Sequence, residues 1–177
     1  MAHISSLAMV FLLCVASSYA VNTVDVNTIC KGVKNPSFCV TLLDSKPGEN
    51  RDLVSLGLYT IDVTLANTTN TITLINMLIS KSGGDAQAKH HYDRCLLHFN
   101  GIAAMLKQTP DFMKRGEYDT ALQDAVGVRS HVRVCVSEDS DPHHPFYDSS
   151  ELPIYANSVD QVAEVFAAIL NHLNTPI

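Results

Sequence analysis

The chain has 177 residues, a formal charge of −6 and hydrophobic residues at 46% of its positions, with no tryptophan. That length suits one domain with a sizeable core and is short for two. An acidic chain without clusters of Lys or Arg argues against nucleic acid and anionic membrane surfaces as partners.

Residues 9–16, MVFLLCVA, form an unbroken apolar run, followed by SSYA and then polar sequence. A short apolar core ahead of small residues at Ser18 and Ala20 predicts a secretory signal peptide, residues 1–20, cleaved after Ala20. Its amino-terminal region is weak, with no Lys or Arg. The run falls far below the roughly 20 residues that span a bilayer. The domain is then expected to occupy 21–177 as a secreted, extracellular chain.

Cleavage removes Cys14 and leaves Cys30, Cys39, Cys95 and Cys135. Four cysteines in an oxidising compartment predict two disulfides, for which three connectivities exist. The sequential one, Cys30–Cys39 and Cys95–Cys135, asks least of the chain. Loop entropy then contributes about 3 kcal/mol for the small loop and about 4 kcal/mol for the large one.

In chain order, 24–34 and 37–45 predict two short helices flanking Asn35-Pro36, since Pro36 suits a turn or a first helical position. Helices this short are marginal alone, so the Cys30–Cys39 staple is expected to hold them as a hairpin. From Val54 a helical seam runs Val54, Leu58, Ile61, Leu65, Thr68, Ile72, Ile75, Ile79, interrupted only by Thr68. A second seam, Ala88, Tyr92, Cys95, Phe99, Ile102, Leu106, is expected to end near Pro110. A third reads Tyr118, Ala121, Ala125, Val128, Val132, Cys135, and a fourth Val159, Val162, Phe166, Ile169, Leu173. Four stripes with alternating steps of four and three predict an all-α fold, a clasped hairpin followed by an antiparallel four-helix bundle. Cys95 early in the second bundle helix and Cys135 late in the third would meet in antiparallel neighbours. The link 137–153, rich in Asp, Ser and Pro, reads as a solvated loop.

Catalytic machinery is missing from the pattern: there is no nucleophile elbow, phosphate-cradling glycine loop or His-Glu-x-x-His. His91, Cys95 and His98 share one helix face at metal-ligand spacing, but a disulfide would take Cys95 and leave both histidines on a partly exposed surface. His143 and His144 beside Asp139 and Asp141 read as solvated loop residues. No catalytic residue, metal or cofactor is therefore expected. Asn67-Thr68-Thr69 is the one acceptable N-glycosylation sequon, because Pro36 disqualifies Asn35-Pro36-Ser37.

The stretches ICKGVKNPSFC, RDLVSLGLYTIDVTLAN, HHYDRC and GEYDTALQDA, with Cys135 and the closing helix, resemble the plant invertase and pectin methylesterase inhibitors. The resemblance implies a signal peptide, cysteines bonded first to second and third to fourth, a hairpin and a bundle. It also implies an inhibitor that covers the substrate cleft of a cell-wall enzyme, in the apoplast. Invertase inhibitors carry Pro-Lys-Phe just inside the third bundle helix, where this chain has Tyr118, Asp119 and Thr120. The Gly116-Glu117-Tyr118 start looks more like the pectin methylesterase branch. Around the fourth cysteine the family's Thr-Cys-x-Asp is replaced by Val134-Cys135-Val136-Ser137, with Arg129, His131 and Arg133 adding positive charge. The resemblance thus places the target-enzyme interface at Glu117, Tyr118, Asp119, Thr120, Val134 and Ser137. Invertase inhibition, a non-inhibitory member of the family and a small-ligand carrier are the alternatives. A monomer is expected, with a hairpin-swapped dimer as the variant.

Overall fold

The computed structural model describes residues 25–137 and 146–175. The signal peptide expected at 1–20 and the pair His143 and His144 lie outside the described residues. Six helices follow in order: α1 (Val26–Cys30), α2 (Pro36–Asp44), α3 (Leu53–Lys81), α4 (Ala86–Arg115), α5 (Tyr118–Val136) and α6 (Leu152–Asn174).

The starts of α2, α3 and α4 have a local chemical cause. Asn35 accepts from the Phe38 N–H at 3.2 Å ahead of Pro36, Asp52 from Ser55 at 2.7 Å, and Asp85 from Gln87 and Ala88 at 3.1 and 3.0 Å. Such side-chain oxygens satisfy donors that a first helical turn leaves without partners. α4 passes through Pro110 and stops at Gly116, whose φ of 75° is left-handed. The Gly116 and Glu117 N–H groups close that end on the Met113 and Phe112 carbonyls, the double bond of a Schellman cap. The expected stop near Pro110 is thus displaced by about one and a half turns, because buried Thr109 and Met113 on the same stripe keep the helix docked beyond it.

α3 packs on α4 and α6, and α5 packs on α4 and α6. The bundle is therefore a ring in the order α3, α4, α5, α6, with α3 diagonal to α5. One core unites Phe99, Ile102, Leu106, Val128, Val159 and Phe166. The second, third and fourth seams are buried as expected, except that Tyr118 and Leu173 are only half-buried at the ends.

Of the first seam, Ile61, Thr68 and Ile75 are buried as expected, but the remaining five residues are not. In α3 the buried line runs Leu56, Thr60, Thr64, Thr68, Thr71, Leu74. Val54, Leu58, Leu65, Ile72 and Ile79 are half-buried flankers of the core. Hydropathy misplaces the stripe because a threonine hydroxyl is self-sufficient inside a helix. Thr60 donates to Gly57 O at 2.7 Å, Thr64 to Thr60 O at 2.6 Å and Thr68 to Thr64 O at 2.7 Å. The methyl group is left to pack as an apolar one. Gly57 opens the same face: a Cβ there would lie 2.6 Å from Met113 Cε and 3.5 Å from Phe166.

Cys30 and Cys39 are bonded, with their Cα atoms 5.6 Å apart, and clasp α1 to α2. α1 is one short turn, less than the expected 24–34. The hairpin folds back on its own bundle through a second core of Ile29, Val33, Leu42 and Leu43 against Leu53, Leu56, Val162, Val165 and Ile169. Cys95 and Cys135 are bonded across α4 and α5, with Cα atoms 4.7 Å apart.

Candidate interface for a protein target

Helix periodicity puts Thr120, Asp124, Gly127, His131 and Val134 along the margin of α5 that faces α4. Contacts fix this register. Asp124 Oδ2 accepts from the Thr109 hydroxyl at 2.8 Å, and His131 Nδ1 meets His98 Nδ1 at 2.9 Å. The two glycines let the neighbouring helix's side chains lie across the groove: a Cβ at Gly101 would meet the His131 ring at 3.4 Å, and one at Gly127 would meet Met105 at 3.0 Å. The result is a shallow, polar-floored seam with exposed apolar side chains on its flanks, Leu97 at 71% and Val134 at 38% accessible. Exposed aliphatics rimmed by polar groups are a feature of recognition surfaces.

Of the six residues assigned to the interface, Thr120 and Val134 share this face, fourteen positions or about 21 Å of helix rise apart. Asp119 is exposed on the adjoining outward stripe at the start of α5, and half-buried Ser137 caps its end, its N–H donating to the Arg133 carbonyl at 2.9 Å. Tyr118 is turned into the core, half-buried against it. Glu117 is taken by Arg115, which donates to it at 2.6 and 3.0 Å. The Arg115 bond and charge hold the Glu117 carboxyl below its ordinary range.

The positive charge expected from Arg129 is not presented to a partner. Arg129 points away from the seam and donates to Asp160 Oδ1 at 3.0 Å and Oδ2 at 3.4 Å, with Glu164 Oε1 at 3.2 Å. Glu164 Oε2 also accepts from the Lys34 N–H at 3.3 Å, so one ion cluster ties α5, α6 and the hairpin turn together. The seam's own charges are titratable. Burial, then the charges of His131 and Arg94, push His98 below the usual imidazole value. Burial pushes the Asp124 carboxyl up, only partly offset by the bond from Thr109.

A buried cluster that local sequence does not announce lies beside the Cys95–Cys135 bond. His91 is buried, not surface-flanking. Its Nε2 lies 3.4 Å from Asp148 Oδ2 and 3.8 Å from Cys95 Sγ. Asp148 Oδ1 accepts from Tyr92 at 3.1 Å and from the Ser150 N–H at 2.9 Å, while Phe146 stacks on His91 at 4.7 Å between centroids. Burial drives the Asp148 carboxyl up, but its bonds to His91, Ser150 and Tyr92 together outweigh that and lower it. The end of the 137–153 link is thus packed on α4 rather than solvated. The one sequence signal was the polar–apolar spacing of Phe146, Asp148 and Ser150. With Cys95 in a disulfide, the trio His91, Cys95 and His98 is no ligand set. Among the described residues no helix is long and apolar enough to cross a membrane.

Fold and face together define a disulfide-stapled all-α scaffold whose resources are rigidity and a shaped surface. Comparison with known proteins gives the family. The chain matches the plant invertase/pectin methylesterase inhibitor family over residues 24–169. It is 32% identical over 143 residues to pectinesterase inhibitor 1 of Arabidopsis thaliana, covering 73% of this chain and 79% of that protein. It is 29% identical over 96 residues to the pectinesterase inhibitor of Actinidia deliciosa, covering 54% and 51% of the two chains. The fold matches crystal structures of a pectin methylesterase inhibitor from Arabidopsis. The TM-score is 0.71 for a mutant form, over 84% of this chain and 97% of that one, and 0.61 for a second structure, over 85% and 97%. Both are 22% identical in sequence and so speak to the fold alone. This chain belongs to the plant invertase/pectin methylesterase inhibitor family.

Proposed function

We propose that this protein is a secreted inhibitor of plant cell-wall pectin methylesterase, acting in the apoplast by laying its α4/α5 face across the enzyme's substrate cleft. The observation that carries the reading is the family match combined with relatives that are themselves named pectinesterase inhibitors. Inhibition of this kind asks no chemistry of the inhibitor. A preorganised surface excludes the polysaccharide, and the two disulfides limit the ordering cost of binding. Tyr118, Asp119 and Thr120 in place of Pro-Lys-Phe weigh against invertase as the target. Loss of the signal peptide at Ala20 and oxidation of the four remaining cysteines belong to the same reading. A monomer belongs to the same reading.

The test is a titration of the oxidised 21–177 protein against a plant pectin methylesterase and, in parallel, a plant invertase. Stoichiometric loss of esterase activity alone is expected. Val134→Arg and Thr120→Arg should each weaken inhibition at least about tenfold, the scale of a 1.4 kcal/mol loss, while Asn70→Arg on α3 should not. Inhibition of invertase alone, or of neither enzyme by a folded, oxidised protein, would overturn the proposal.

A further inference from the structure

The α3/α6 face, opposite the α4/α5 seam, carries the sequon in an unusual setting. Asn67 is half-buried in the middle of α3, and its side-chain amide makes no hydrogen bond among the described residues. It edges a shallow hollow of about 160 Å³ lined by Asn70, Ile154, Tyr155 and Ser158. Ile154 is 68% exposed and Tyr155 39%, a large apolar pair left in water at the first turn of α6.

From this we propose that Asn67 carries an N-linked glycan whose core sugars lie in that hollow, on Ile154 and Tyr155. The chemistry of the hollow fits a pyranose better than a peptide. Its C–H face packs on an aromatic and an aliphatic side chain, while the Asn70 amide offers a partner at the rim and the Ser158 hydroxyl, which donates to the Ile154 carbonyl at 3.2 Å, offers an acceptor. An amphipathic aromatic is suited to such a contact, with an apolar body and a polar tip. Attachment must precede folding, because the Thr69 hydroxyl that the transfer requires bonds the Leu65 carbonyl at 2.9 Å once α3 has formed. That order is available, since an isolated helix stays marginal until its neighbours are made.

The consequence is an oriented molecule. Hairpin and sugar together cover the α6 side, and the bulk of a glycan leaves the α4/α5 seam as the open face. The inference rests on the secretory passage proposed above and is independent of inhibition.

The full chain, 1–177, would be secreted from plant cells and its intact mass measured before and after peptide N-glycosidase A. One removable glycan is expected, with conversion of Asn67 to Asp on release. Asn67→Gln and Thr69→Ala should abolish it and Thr69→Ser retain it. Amide exchange at 152–158 should accelerate when the sugar is removed, and Tyr155→Ser should erase that difference. Inhibition by Asn67→Gln protein should equal that of the parent. Secreted protein without sugar on Asn67 would overturn the site. Equal exchange with and without sugar would overturn its seat on Tyr155. A chain retained with reduced cysteines would overturn the secretory reading and the glycan with it.

Discussion

Replacing Arg129 by Ala tests whether the ion cluster seats the hairpin. Arg129, Asp160 and Glu164 have side chains 23%, 27% and 14% exposed, between the surface regime of 0–1 kcal/mol and the buried regime of about 3–5 kcal/mol. The substitution removes two bonds to Asp160 and the contact to Glu164, and leaves two carboxylates one helical turn apart. Charge-assisted bonds of this kind contribute about 1.5–3 kcal/mol when intact. Discounted for partial exposure, a loss of about 2–3 kcal/mol is expected. Urea unfolding of the oxidised protein would measure it as a lower midpoint at unchanged slope. Asp160→Ala alone should cost about 1 kcal/mol less, because Arg129 keeps Glu164. The double variant should fall short of the sum by about 1 kcal/mol, as coupled neighbours do. Since Glu164 also holds the Lys34 N–H, exchange should speed up across α1 and α2 before the rest of the chain. A cost below about 0.5 kcal/mol, or additive single and double variants, would refute the argument that the cluster acts as a unit.

Thr64→Val should change stability by less than about 1 kcal/mol, because Thr60 O keeps its helical N–H and the methyl offsets a bond worth a similar amount; Thr64→Ser should cost about 1 kcal/mol, and calorimetry would compare the two. Asp148→Ala should cost about 2–3 kcal/mol by stranding the Tyr92 and His91 groups. The Asp148 contribution is present above the unfolded carboxyl value of about 3.9 and disappears as pH falls through the lower folded value, so the parent and Asp148→Ala curves should converge in acid. His98 behaves oppositely to a paired histidine: its folded value is lowered, so stability is complete above about pH 6.5 and declines below it, where the unfolded chain binds a proton the fold resists. His98→Gln should flatten the decline between about pH 5 and 6.5 in melting curves; an unchanged slope would place the titrating group elsewhere.

All four bundle helices were legible in the sequence, and the inward faces of three of them, because large aliphatics and aromatics at four-and-three spacing have nowhere to go but inward, as Phe99, Val128 and Phe166 do. The hairpin was legible too, since Pro36 between two nearby cysteines allows little but a clasped turn. The core line of α3 was legible only in part, at Ile61, Thr68 and Ile75, because hydropathy ranks Leu65 above Thr64 without seeing that the Thr64 hydroxyl bonds its own helix. Nor was the role of Arg129, whose charge looked available until folding brought Asp160 and Glu164 from 31 and 35 positions away to meet it. Asp148 is the same case: a loop aspartate is solvated by default, and only docking on His91 and Tyr92 makes it structural. Periodicity is a property of neighbours within one helix, so the sequence carries it alone. Which faces stay open, which charges are already spoken for and which polar groups share a buried site depend on elements far apart in the chain, and the tertiary structure alone decides them.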